Sequence, residues 1–273
     1  MDKFKLCIKD TLFSHAFSSS NWFRPTYFDW DFNNENCDVI YLTDDYVDKV
    51  SNFNNKIKIA WLVESPLIKP YANEFVFNNG HLFNKIYTHN SKILEKYLNS
   101  YFVPAGGCHL QENEIKIYEN KNKLISIMCS NKTQTSGHLL RHEIIKKFND
   151  IEYFDIYGTG YGEWKEKSVS TIDYKFSIVI ENINSDFYFT EKLIDVLLSG
   201  TIPIYWGCPS ISKFFNTDSF LIFNNIDELE ELIKNEKFLN EFYDSNKQNI
   251  IDNFEKALSF KIAEDYLYNE YLK

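Results

Sequence analysis

Apolar residues in the first 105 positions come in short runs separated by polar stretches, at residues 5–8, 39–42, 57–62, 85–88 and 101–103. Runs of this length, rich in Ile, Val, Tyr and Leu, predict strands, and the segments between them are read as helical. Pro104-Ala105-Gly106-Gly107 breaks the alternation, and the polar stretch 111–122 is the best boundary. A second series then begins with a strand at 124–129, a helix at 139–148 and strands at 153–157 and 176–180. Next, Leu193, Ile194, Val196, Leu197 and Leu198 form the apolar face of a helix opened by Thr190, Glu191 and Lys192 and stopped by Gly200. The run 202–206 is a short buried strand ending in a turn at Gly207. From 227 to 273, Leu229, Leu232, Ile233, Phe238, Phe242, Ile250, Ile251, Phe254, Leu258 and Ile262 recur at helical intervals and predict a helical tail docked on the protein.

Strands alternating with helices imply an α/β fold with parallel sheets. The expected organisation is two Rossmann-like halves, 1–120 and 121–250, with a cleft between them and a helical tail over 251–273. Ligands in such folds bind beyond the carboxyl ends of the strands. The polar cluster at Thr190, Glu191 and Lys192 is a candidate for that position, because a helix N-terminus with a lysine beside it favours an anion such as a phosphate. Tyr157-Gly158-Thr159-Gly160-Tyr161-Gly162 follows a strand, but its spacing is not that of a dinucleotide fingerprint and turn glycines explain it as well. His15 lies in a polar loop after the first strand, where it would border an acceptor; His89 and His109 are read as surface or packed histidines.

Composition narrows the function. At 273 residues and 44% hydrophobic content the chain can bury a substantial core, and its net charge of −10, with no basic stripe, argues against nucleic acid. The first ten residues lack a signal-peptide core, and no run approaches the ~18 apolar residues of a membrane helix. The expectation is a cytoplasmic protein, at most peripherally associated with a membrane. The five widely spaced cysteines and six scattered histidines predict reduced thiols and no metal site, and Asp44-Asp45 reads as a loop.

The specific signal is a composite motif. Glu181-Asn182, Tyr188-Phe189-Thr190-Glu191-Lys192 and Ile202-Pro203-Ile204-Tyr205-Trp206-Gly207 together resemble the donor-binding motif of the α-1,3-fucosyltransferases, glycosyltransferase family ten. Tyr174-Lys175-Phe176 and the strand after it fit the approach to that motif. Trp61-Leu62-Val63-Glu64-Ser65-Pro66 is similar to the same family's Glu-Ser-Pro motif, and Ser130-Asn131-Lys132 through Arg141 is similar to its Ser-Asn segment and following arginine. The resemblance implies a GT-B fold and an inverting transferase that moves a sugar, foremost fucose from GDP-fucose, to a glycan hydroxyl. It implies Glu64 as general base and Arg141 as a contact of the donor diphosphate, with Lys132 a competing contact.

Chemistry adds roles beside bland readings. Lys192 would neutralise charge on the leaving diphosphate, and Glu191 would accept from a ribose or sugar hydroxyl. Read blandly, Glu191 is a helix N-terminal acid stabilised by the dipole, and Arg141 a solvated helix residue. Tyr188 would pack on donor or base; Asn182 and Glu181 would face the cleft or form a turn, as Ser65 would. The donor-binding set is therefore Ser130, Asn131, Lys132, Arg141, Glu181, Asn182, Tyr188, Thr190, Glu191 and Lys192. Two other readings stay open: a transferase of surface glycans using another GDP-sugar, a heptose or mannose derivative, and a non-catalytic nucleotide or glycan binder on the same scaffold.

Overall fold

The computed structural model describes residues 3–11, 18–20, 22–34, 36–161 and 166–273; His15 and Gly162 lie outside them. The chain divides into two compact units, the first made of residues 1–108, 185–190 and 259–273, the second of 109–184 and 191–258.

The first unit is built on β1 (Phe4–Lys9), β2 (Phe28–Asp31), β3 (Val39–Thr43), β4 (Ile57–Trp61), α1 (Pro70–Asn79), β5 (Lys85–Thr88), α2 (Ser91–Lys96) and β6 (Ser100–Phe102). Its six strands are all parallel, in the order β2-β1-β3-β4-β5-β6. Because side chains alternate across a strand, both faces of this sheet need apolar residues. Ile40, Leu42, Ala60, Leu62 and Ile86 pack on one face with Val47, Val50, Val76 and Ile93. Tyr41, Ile59, Trp61 and Tyr87 fill the other with Trp30 and Val103. The expected loop at Asp44-Asp45 is instead the start of a 3-10 helix, Asp44–Phe53, in which Asp44 is only 1% exposed. The correction has a physical cause: Val47 and Val50 anchor the turn under the sheet.

The second unit contains β7 (Lys123–Met128), α3 (Ser136–Phe148), β8 (Phe154–Tyr157), β9 (Tyr174–Ile180), α4 (Glu191–Leu197), β10 (Ile202–Trp206), β11 (Leu221–Ile222), α5 (Ile226–Ile233), α6 (Glu236–Ser245) and α7 (Lys247–Leu258). Five parallel strands run in the order β11-β10-β9-β7-β8. The order reverses between β7 and β9, and the crevice outside the carboxyl ends of those two strands is where doubly wound sheets bind ligands. α3 begins three residues earlier than its apolar pattern suggests, because the Thr135 hydroxyl accepts from the N–H of His138 at 3.2 Å and caps it. Gly200, at φ +64°, ends the turn after α4 as expected.

The predicted helical tail is divided. Leu229, Ile233, Leu239, Tyr243 and Ile250 of α5 to α7 join the core of the second unit with Phe176, Ile178, Ile202 and Ile204. The last helix, α8 (Ala263–Tyr271), packs Ala263 and Leu267 into the first unit's core. Its fully buried Glu264 accepts from the N–H and hydroxyl of Ser19 at 2.7 and 2.6 Å and from the Trp30 indole at 3.1 Å. Among the described residues no helix is long and apolar enough to cross a membrane. None of the five cysteines is in a disulfide.

At the other end of the second sheet, the buried Lys121 ammonium donates to the carbonyls of Thr171 and Ile172 at 2.9 and 3.2 Å and to the Thr201 hydroxyl at 2.7 Å. Lys121→Met leaves the Ile172 carbonyl without this donor. It should destabilise the protein by about 1–3 kcal/mol in urea unfolding; an unchanged midpoint would show that the clamp is dispensable.

Candidate active site

In the second unit two glycines allow the backbone to approach closely at the carboxyl ends of β9 and β7. A Cβ on Gly137, in the first turn of α3, would lie 1.8 Å from the carbonyl oxygen of Glu181. The Gly137 N–H donates to the Asn182 carbonyl at 3.1 Å, so α3 is seated directly on the end of β9. Gly158, at φ +111°, does the same after β8, where a Cβ would meet the Cys129 carbonyl at 2.0 Å.

Arg141, on the second turn of α3, is buried at 5% exposure. Its guanidinium donates twice to the Ile180 carbonyl, at 3.2 Å from Nε and 2.5 Å from Nη2, and once to Asn182 Oδ1 at 3.3 Å. The bland reading of a solvated helix residue is thereby corrected. β9 ends in an unpaired carbonyl that a planar donor fork satisfies, and that bond draws the arginine inward.

A chain of charges crosses the entry to α4. Lys192 Nζ lies 3.2 Å from Glu191 Oε1 and 3.8 Å from Oε2 of the fully buried Glu181. Lys167 Nζ lies 3.6 Å from the same Glu191 oxygen and 2.5 Å from Nδ1 of His109. Burial alone would raise the Glu191 carboxyl, but Lys192 and Lys167 hold it well below the ordinary carboxylate range. Burial lowers His109 to about 4, against the pull of Glu191, so a neutral imidazole accepts the hydrogen bond from the Lys167 ammonium. The backbone N–H of His109 donates to Asp195 of α4 at 2.7 Å. His138, in the first turn of α3, is lowered to about 4 by burial and by Arg141 and Lys192. Its Nδ1 is buried without a hydrogen-bond partner.

Of the residues expected from the sequence, Glu181, Asn182, Arg141, Glu191 and Lys192 are therefore joined at one switch point. Ser130 follows β7, half-buried, with Asn131 and Lys132 exposed after it. The Lys132 carbonyl accepts from His142 at 2.8 Å. Tyr188 and Thr190 belong to the first unit and are buried at 2% and 5% exposure. The Tyr188 ring lies 5.0 Å from that of His89, presented by Phe187 at a strained φ of +64°. Lys167, His109 and His138 were not among the expected site residues. Lys167 lies in a polar turn, Lys167–Ser170, that carries no motif.

Glu64, in the first unit, follows β4. The Leu62 N–H still donates to Tyr87 at 2.9 Å as part of the sheet, and the chain then leaves it. Glu64 is half-buried, and Ser65 accepts from the N–H groups of Ile68 and Lys69 at 3.0 and 2.9 Å, the turn role expected of it. Among the described residues no group of three or more His, Cys, Asp or Glu side chains is placed to hold a metal ion.

Comparison with known proteins settles the family. A model described as glycosyltransferase family 10 (fucosyltransferase), C-terminal part, matches residues 118–267. The chain belongs to this family. Helicobacter pylori alpha-(1,3)-fucosyltransferase FucT is 41% identical over 108 residues, which are 36% of this chain and 22% of that protein. Bos taurus 4-galactosyl-N-acetylglucosaminide 3-alpha-L-fucosyltransferase 9 is 28% identical over 199 residues, 70% of this chain and 50% of that one. These matches thus span half or less of the relatives' own length. A solved alpha1,3-fucosyltransferase with GDP-fucose shares the fold at a TM-score of 0.59 and 20% identity, covering 95% of this chain and 89% of that one. Anabaena HepE, solved with UDP-glucose, shares it at a TM-score of 0.59 and 10% identity over 86% of this chain and 78% of that one. The architecture is the GT-B type expected for the family.

Proposed function

We propose that this family member is an inverting glycosyltransferase that takes fucose from GDP-fucose and places it on a hydroxyl of a glycan. The observation that carries the reading is the joining of Glu181, Asn182, Arg141, Glu191 and Lys192 at the β7/β9 switch point. The solved relative with GDP-fucose and the galactosyl-N-acetylglucosaminide named for the bovine relative support the donor and the acceptor class.

In this reading Glu64 takes the proton from the acceptor hydroxyl. The freed oxygen attacks the anomeric carbon from the face opposite the diphosphate, and the bond to the diphosphate oxygen breaks with its electron pair. Charge gathers on the leaving GDP, which positioned cations stabilise. Lys192 is shared with two carboxylates, so its charge alone is balanced. Lys192, Arg141 and Lys167 are the cations gathered with Glu181 and Glu191 in this cluster, and they are the candidates to meet the charge on the leaving GDP. The cations that serve the leaving group in this reading are side chains.

A thermal-shift panel of GDP, UDP, ADP and CDP tests the donor. GDP should stabilise the protein selectively, and Lys192→Ala should weaken GDP binding by roughly 10- to 100-fold, the worth of one charge-assisted hydrogen bond. No preference for GDP, or an unchanged response in the variant, would remove the donor assignment and leave the fold alone.

A further inference from the structure

The first unit devotes an unusual amount of side-chain chemistry to two residues, Val63 and Glu64. The N–H groups of both donate to one carboxylate oxygen, Oδ2 of Asp44, each at 3.2 Å. The Val63 carbonyl accepts from Nε2 of the buried His89 at 3.2 Å, which fixes the proton of that imidazole on Nε2. The Glu64 carbonyl faces Nδ2 of Asn73 at 3.5 Å, and Asn73 is held by Asn90, which donates to its Oδ1 at 2.9 Å. All four backbone polar groups of the dipeptide are thus met by side chains from the segments after β3 and β5 and from α1.

A loop held only by its own turn would let a carboxylate sample several positions. Rate falls steeply when a general base is misplaced by even an ångström. We propose that Asp44 is a positioning residue for the reaction: it clamps the backbone on either side of the Val63–Glu64 peptide and so fixes where the Glu64 carboxylate stands. The inference rests on the reading of Glu64 as the base.

The chemistry of Asp44 suits the task. It is 1% exposed, and its second oxygen, Oδ1, is buried without a hydrogen-bond partner. Burial pushes its carboxyl up to about 8, the two backbone N–H groups opposing, the charge of Glu64 adding and Lys69 subtracting. Neighbouring Asp45 is held low by its bonds to Lys69 and Thr11, so it leaves the Lys69 charge largely compensated. Burial thus favours the neutral acid, and because Oδ2 accepts from both N–H groups, Oδ1 is the oxygen left to carry its proton. An asparagine reproduces that pattern, with its amide nitrogen in the place of the Oδ1 hydroxyl.

The test compares Asp44→Ala, Asp44→Asn and the wild type in transfer from GDP-fucose, in GDP binding and in amide hydrogen exchange of the segment containing residues 63 and 64. Asp44→Ala should lower kcat by about 10- to 100-fold, leave the Kd for GDP within threefold and unprotect that segment. Asp44→Asn should restore most of the rate and the protection. Asp44→Ser, whose short hydroxyl does not span both amides, replaces the alanine variant if that one does not fold. An asparagine variant as slow as alanine overturns the proposal, as does an alanine variant with wild-type kcat or wild-type protection. Absence of transfer by the wild-type protein would defeat the assignment of Glu64 instead, and the exchange measurement would still decide whether Asp44 fixes the segment.

Discussion

Glu64→Gln should abolish nearly all transfer, lowering kcat by about 10²–10⁴-fold while leaving GDP affinity unchanged. Glutamine keeps the size of glutamate and its place in the loop, and the bonds from Asp44 and Asn73 to the backbone at this position do not depend on the carboxylate. What it loses is an oxygen basic enough to take a proton from an alcohol. Glu181, Asn182, Arg141, Glu191 and Lys192, proposed above to hold the donor, lie in the second unit, so nucleotide affinity should not follow the rate. Steady-state assays with GDP-fucose and a 4-galactosyl-N-acetylglucosaminide acceptor, beside calorimetry with GDP, measure the two quantities separately. A variant within threefold of the wild-type kcat would move the base elsewhere, and a parallel loss of GDP affinity would mean that the substitution disturbed more than the proton transfer.

Gly137→Ala should have the largest structural effect. A methyl group at this position falls 1.8 Å from the Glu181 carbonyl oxygen, and the obstacle is backbone on both sides. No rotamer change relieves it, so α3 must move off the end of β9 and the Gly137 bond to Asn182 is lost. The cost is about 3 kcal/mol or more, at the upper end for overpacking, and a melting temperature lower by roughly 6–12 °C follows for a domain of this size. The same shift carries Arg141 away from Ile180 and Asn182, so GDP-induced stabilisation should disappear as well. A wild-type melting curve would show that the helix and strand are less tightly seated than the geometry requires.

The strands were legible wherever they are buried on both faces. β3, β4, β7, β9 and β10 are runs of apolar residues because helices or loops cover both sides of the sheet, and such runs stand out against polar surroundings. β2 escaped because Phe28-Asp29-Trp30-Asp31 alternates over only four residues, and β11 because it has two. The composite motif was legible because its residues are close in sequence, running from the end of β9 through the start of α4 to β10. Asp44, Lys167, His109 and His138 were not, since each gains its meaning from a partner 20 or more residues away or from burial that no local pattern announces. Arg141 shows the limit most plainly. Its helix pattern fits a solvated position, and only the end of β9, 39 residues on, explains why it is buried.

The division of the tail sets an order on the chain's synthesis. The second unit has all of its residues once position 258 has emerged, whereas the first still lacks 259–273. Until then Trp30 and Ser19 have no Glu264 to donate to, and Ala263 and Leu267 are missing from the core under β4 and β5. The unit that comes first along this sequence is therefore the one completed later, and the face of its sheet that α8 covers must be kept from associating with other chains for as long as the second unit takes to be made.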